Sequence, residues 1–348
     1  MNNRKRILYI STNDGSDVRV YKEVKSLSVH YDVIYSGVGK MSDTNFAKNH
    51  SAMFHLINGK RNTVPTLARH FFFVFFILLT KRIHSIHVLN EQLMIFFYPL
   101  LFFKHTVLDL FDSIFLLKNK GGNKLRWLKW VIYLPVNKII VTDESRKNLL
   151  PVFFQKKTII LENYPYRYNG PWNKRPNGHD LTIFFNGAIA VNRGLYVLQE
   201  LLLFEKIKII MAGWAHDEMA KNLVINERVD FRGVLTQSEI QKIAANEADY
   251  ILCMYAPVNE NNINASPNKI YDSIQVRTPV IINAEVKASR FVKNEKLGFV
   301  LEAYHLQDIN KVVEMLKELK GKFLFPESLV NACTWENIEN RLIAVHNL

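Results

Sequence analysis

The sequence predicts an α/β protein made of two doubly wound parallel-sheet domains facing a central cleft. Three observations predict it. Short apolar runs of strand length alternate with helical patterns along the whole chain. The alternation stops once, across Glu162–Asp180, a stretch rich in Pro, Gly, Asn and Tyr, and then restarts. The 348 residues suffice for two cores of ordinary size.

In the first half the expected strands are Ile7–Ile10, Asp32–Tyr35, Ser85–Leu89, Thr106–Leu110 and Lys138–Val141, with a helix through Val18–Leu27 after the first. In the second half they are Leu181–Phe185, Ile207–Met211, Val229–Phe231, Tyr250–Cys253 and Val280–Ile282. Ligands of such sheets bind beyond the carboxyl ends of the strands, so the loops there are where function is expected. The domains are expected at 1–165 and 166–333.

Composition narrows the partners. Hydrophobic residues make up 48% and charged residues 22%, the balance of a globular chain. Cys253 and Cys333 are the two cysteines, and both sit in apolar sequence. This argues against a disulfide framework or a cysteine metal site and for a reducing, cytoplasmic compartment. Arg4-Lys5-Arg6 is basic, but Ile7–Ile10 is too short for a signal core. Residues 1–165 hold 24 Lys and Arg against 11 Asp and Glu; residues 166–348 hold 21 against 21. The whole excess of +13 therefore lies in the first half. It suits an anionic membrane surface or a phosphorylated acceptor, and a solvated basic face is the plain alternative. Zinc-finger, RNA-binding and helix-turn-helix signatures are missing, which argues against nucleic acid.

Two apolar runs lie in the basic half. Phe71–Leu79 has nine residues between Arg69-His70 and Lys81-Arg82; Leu93–Phe103 has eleven, interrupted by Pro99. Both fall short of the roughly 20 needed to span a bilayer. They read as buried helices, with a membrane-docking face as the sharper alternative.

The most informative segment is Asn264-Ala265-Ser266-Pro267-Asn268-Lys269-Ile270-Tyr271-Asp272, followed by Arg277-Thr278-Pro279-Val280. Ser266 suits an N-cap and Pro267 the first helical position. The start of this helix offers unpaired N–H groups and a positive dipole end to a phosphate, and Lys269 adds a charge. Helical spacing sets Asn268, Lys269 and Asp272 on one face. Phosphate-binding groups at a helix tip with a carboxylate one turn deeper are what a nucleoside diphosphate and its ribose require.

This segment resembles the donor-binding block of GT-B fold glycosyltransferases, in particular glycosyltransferase family 4. Ser16-Asp17-Val18-Arg19-Val20, preceded by Gly15, is similar to the stretch after the family's first strand. Gly187 to Arg193-Gly194-Leu195 is similar to the opening of its second domain. Val229-Asp230-Phe231-Arg232-Gly233, Ala248-Asp249 and Thr334-Trp335-Glu336 are similar to later family motifs. The resemblance implies two Rossmann-like domains, an acceptor side carrying Gly15, Asp17 and Arg19, and a closing helix within 334–348 that returns to the first domain. It implies a donor site of Gly187, Arg193, Asn264, Ser266, Pro267, Asn268, Lys269 and Asp272, with Asp272 on the ribose. Arg193 and Lys269 would stabilise the leaving diphosphate. The implied activity is sugar transfer from a nucleoside-diphosphate sugar to a saccharide or lipid-diphosphate-linked acceptor, with retention and without metal or cofactor. The implied setting is surface polysaccharide synthesis at the cytoplasmic membrane face.

The chain departs from the family at two places. Asn264 stands where many members have glutamate, with Glu260 nearby as a substitute. In Asp109-Leu110-Phe111-Asp112, Phe111 holds a histidine's place, leaving Asp112 as the remaining catalytic candidate. A retaining transfer tolerates these losses, because the departing phosphate can take the acceptor's proton. Among rivals, a dinucleotide oxidoreductase needs a Gly-x-Gly-x-x-Gly turn, and Asn13–Asp17 has one glycine. A metal-dependent transferase of the other fold needs an Asp-x-Asp pair, which the sequence lacks. A sugar-nucleotide epimerase of the same architecture and a non-catalytic sugar-nucleotide-binding module are the alternatives.

Overall fold

The computed structural model describes residues 4–111, 126–172, 181–306 and 308–347. The chain divides into two compact units: Met1–Glu162 together with Ile338–Leu348, and Asn163–Asn337.

The first unit is built on a parallel sheet of β1 (Arg6–Ile10), β2 (Asp32–Val38), β3 (Met53–Ile57), β4 (Ser85–Leu89), β5 (His105–Asp109), β6 (Lys138–Val141) and β7 (Thr158–Ile160). Its order is β3-β2-β1-β4-β5-β6-β7. The second unit holds a parallel sheet of β8 (Leu181–Ile189), β9 (Ile207–Ala215), β10 (Val229–Phe231), β11 (Tyr250–Leu252), β12 (Val280–Asn283) and β13 (Gly298–Leu301), in the order β10-β9-β8-β11-β12-β13. Both are the doubly wound sheets expected. The strands missed by sequence patterning are β3, β7 and β13. All three lie at sheet edges, where residues such as Met53 and Phe299 are only partly covered and the apolar signal is weak.

Several strands run past their expected ends. β8 continues beyond Phe185 to Ile189 and β9 beyond Met211 to Ala215, and the two stay paired throughout. Gly187 and Gly213 face each other in this register with φ of 100° and 136°. A Cβ on Gly213 would stand 1.8 Å from the Gly187 carbonyl oxygen, so the close approach requires glycine there; at Gly187 the space is open, and it is the φ of 100° that favours glycine.

Five helices matter below: α1 (Val18–Ser28), α2 (Val64–Thr80), α3 (Gln237–Asn246), α4 (Asn268–Val276) and α5 (Glu339–Ala344). Asp17 caps α1 by accepting from the Arg19 and Val20 amides. Thr236 and Glu239 form a reciprocal capping box on α3. At α4 the cap is displaced from the expected position. Pro267, at φ −69° and ψ 129°, is still extended and takes the N-cap place, so the helix begins at Asn268. Ser266 does not cap it; its carbonyl accepts from Asn163 Nδ2 at 3.0 Å.

The second sheet is apolar on both faces, as a parallel sheet between helices should be. Ile183, Phe185, Ile209, Met211 and Leu252 lie in one cluster, and Phe184, Ile210, Ile251 and Ile282 in the other. The first sheet differs. Leu8, Ile10, Ile86, Val88 and Leu108 pack with Val74, Ile77 and Phe97 on one face. Strand alternation sends Tyr9, Ser85, His87 and Asp109 to the other face, all buried. There they meet Arg19 and Glu23 of α1, and His346 just beyond α5.

Candidate active site in the second unit

The winding of the second sheet reverses between β8 and β11, neighbours in the sheet but not in sequence. The crevice beyond the carboxyl ends of two such strands is where doubly wound sheets hold ligands. Two cations meet there.

Arg193 lies in the short turn after β8. Four bonds fix this turn. The Tyr304 hydroxyl donates to the Val191 carbonyl at 2.9 Å and accepts from the Gly194 amide at 3.0 Å. The Val191 amide donates to Asp217 Oδ2 at 2.7 Å, and the Ala256 amide to the Asn192 carbonyl at 2.9 Å. The guanidinium lies 3.9 Å from the centre of the Tyr255 ring, a cation–π contact. Its Nη1 is buried and has no hydrogen-bond partner among the described residues. A buried charged N–H without an acceptor is unfavourable unless a ligand supplies one.

Lys269, in the first turn of α4, donates to the Leu252 carbonyl at the end of β11, 3.0 Å away. Its ammonium lies 3.7 Å from the centre of the Phe185 ring of β8, so it stands at the reversal itself. Burial pushes its pKa down to about 8; Arg193 pushes the same way, while Cys253 and Asp272 oppose. The same surroundings bury the Cys253 thiol and push it up to about 11.

One turn deeper, Asp272 is buried and accepts from Gln237 Nε2 of α3 at 3.2 Å. Asn264 is also buried, and its amide is in use: Nδ2 donates to the Glu260 carbonyl and carboxylate at 2.8 and 2.9 Å, and Oδ1 accepts from Lys287 at 2.7 Å. Gly187, Arg193, Lys269 and Asp272 thus lie around one sheet end, with Ser266, Pro267 and Asn268 leading into α4. Sequence reasoning missed Tyr255, Tyr304 and Gln237. Tyr255 follows β11, and placement just past a strand end was the one available signal for it.

The remaining candidates lie elsewhere. In the first unit, Gly15 adopts φ 86° in the turn after β1, and Asp17 is spent on capping α1. Arg19 is buried against Glu23 at 2.8 Å, Asp109 at 3.1 Å and the Leu161 carbonyl at 2.9 Å. His87 Nε2 lies 3.5 Å from Glu23 and 3.7 Å from Asp109. Glu23, His87 and Asp109 are grouped closely enough to ligate a metal. The guanidinium of Arg19, however, already provides the cation between the two carboxylates. Asp112 lies outside the described residues.

No protein-family model and no curated protein matches the sequence. Solved structures do match. A glycosyltransferase from Rickettsia africae superposes with a TM-score of 0.67 at 14% identity, covering 99% of this chain and 98% of the other. HepE of Anabaena, solved in complex with UDP-glucose, gives 0.65 at 11% identity, covering 98% and 97%. The UDP-N-acetylglucosamine 2-epimerase of Rickettsia bellii gives 0.59 at 10%, covering 99% and 96%. The likeness defines the fold as GT-B, two parallel-sheet α/β domains joined in one chain.

Proposed function

We propose that the protein is a glycosyltransferase that moves a sugar from a nucleoside-diphosphate sugar to a saccharide acceptor. The observation that carries this reading is the buried Nη1 of Arg193, without a hydrogen-bond partner among the described residues, beside Lys269 at the β8–β11 reversal. Two cations at one sheet end, one of them with a buried N–H free to donate, suit a donor diphosphate. Arg193 and Lys269 would hold and stabilise that diphosphate as it leaves, with Asp272 on the ribose. HepE, with the same fold, has been solved with UDP-glucose, which favours a sugar nucleotide as the co-substrate. Retention without a metal belongs to the same reading, since a departing phosphate held by two cations can take the acceptor's proton.

For the acceptor we infer the first unit, through the loop bearing Gly15 and Asp17, with Arg19 behind it. A lipid-diphosphate-linked saccharide at the cytoplasmic membrane face suits the basic charge of that half. The surface of α2 supports this. Its inner face, His70, Val74 and Ile77, is buried, whereas Phe72, Phe75, Phe76 and Leu79 are exposed at helical spacing. Exposed Arg69, Lys81 and Arg82 flank them. Aromatic side chains beside basic ones match the boundary of an anionic bilayer. Among the described residues no helix is long and apolar enough to cross a membrane. Salt-sensitive sedimentation with anionic vesicles is expected, and its absence would refute the membrane reading.

An epimerase is the second reading, since an epimerase shares the fold. Incubation with uridine, guanosine and adenosine diphosphate sugars separates the two. Released nucleotide supports transfer, sugar interconversion without release supports epimerisation, and thermal stabilisation without turnover supports a binding module. Asp272→Ala is expected to abolish nucleotide-induced stabilisation while the fold persists. Unchanged binding by Asp272→Ala would sink the reading.

A further inference from the structure

Gln237 opens α3 directly behind its Thr236 cap and is 9% exposed. Its amide has one sensible orientation. Nε2 donates to Asp272 Oδ1 at 3.2 Å, and the flipped amide would set two acceptors against each other. The other atom, Oε1, is buried and meets no donor among the described residues. A buried carbonyl oxygen without a donor is destabilising, and folded proteins seldom keep one idle.

The missing partner must therefore carry an O–H or N–H. A phosphate would find no welcome here, because Gln237 Oε1 and the Asp272 carboxylate only accept. The site is thus split. Its cationic part, Arg193 and Lys269, takes the diphosphate, and its acceptor part takes donors. Two acceptors held side by side by one hydrogen bond match two adjacent hydroxyls.

We propose that Gln237 and Asp272 together read the 2′,3′-diol of the donor's ribose, each accepting from one hydroxyl. The site then selects ribonucleoside diphosphate sugars over those built on deoxythymidine, which lack the 2′-hydroxyl. This rests on the sugar-nucleotide reading above.

Titration calorimetry on the full chain tests it, using uridine, guanosine and adenosine diphosphates and the 2′-deoxy and 3′-deoxy forms of whichever binds. The parent is expected to bind the ribonucleotide about tenfold more tightly than either deoxy form. Gln237→Met is expected to lose about tenfold for the ribonucleotide and to become indifferent to one of the two hydroxyls. Its discrimination against loss of the other should persist. Equal weakening of all three ligands would show that Gln237 merely supports Asp272, and would overturn the proposal. Discrimination against both deoxy forms that matches the parent's would also overturn it. A parent that binds the ribonucleotide without discriminating refutes the diol reading alone. A parent that binds no diphosphate refutes the sugar-nucleotide reading and this proposal together.

Discussion

Arg19 in the first unit and Arg193 in the second both stand near the carboxyl ends of strands, and the two are treated in opposite ways. Arg19 in the first unit is enclosed by Glu23, Asp109 and the Leu161 carbonyl. Arg193 in the second rests on an aromatic ring and keeps a buried N–H without an acceptor among the described residues. The first charge is neutralised by its own chain and belongs to the core. The second is held in place but left unsatisfied, as a site for an outside anion would be. A cation near a switch point is therefore weak evidence of function until its partners are counted.

Exchanging the two losses gives the sharpest break in this comparison. Arg193→Ala is expected to lower transfer about 10²–10³-fold with little change in stability. Arg19→Ala strands two buried carboxylates and is expected to cost about 3–5 kcal/mol, read by urea unfolding. Equal stability losses in both variants would erase the distinction.

Lys269 tests the second unit by pH. With a pKa near 8, its ammonium is lost as pH rises through that value, and the hold on a diphosphate weakens with it. Affinity is expected to fall about tenfold across this range in the parent and to stay level in Lys269→Arg, which remains charged.

The smallest effect concerns the first unit. His346 meets Ser85 Oγ at 2.8 Å and His87 Nδ1 at 3.2 Å, and burial holds its pKa well below the ordinary value. A histidine kept neutral by folding contributes fully above its unfolded pKa of about 6.5, and that contribution is lost as pH falls. Glu23, pushed up to about 7 by burial and then by Asp109, has the opposite sign. It is common to parent and variant, so their difference isolates His346. Between pH 6.5 and 5.5, His346→Gln is expected to lose less stability than the parent, by up to about 1.4 kcal/mol.

The central strands of the second sheet were legible in the sequence because burial on both faces makes them apolar runs, whereas the edge strands β3, β7 and β13 were not, because one side is open; the fourth edge, β10, was marked by Val229 and Phe231. The segment around Lys269 was legible because a helix start concentrates its signals within a few residues. Tyr304 reaches across 110 positions to fix the turn before Gly194, and no local pattern announces that. Nothing in the local sequence sets Gln237 apart from any residue that opens a capped helix. Arg19 shows the converse. Its motif was plain, yet only the fold shows that its hydrogen bonds are taken.

The return of Ile338–Leu348 to the first unit bears on the order of events during synthesis. His84, Ser85, His87 and His105 form the seat for Val345 and His346, contacts that span 240 to 262 positions. When the first 162 residues leave the ribosome, this seat has no occupant. The second unit, by contrast, is one unbroken segment and has all its strands before the last residues appear. The first unit is begun first and finished last, so a chain stalled after Asn337 would carry a complete second unit and an open histidine-lined seat in the first.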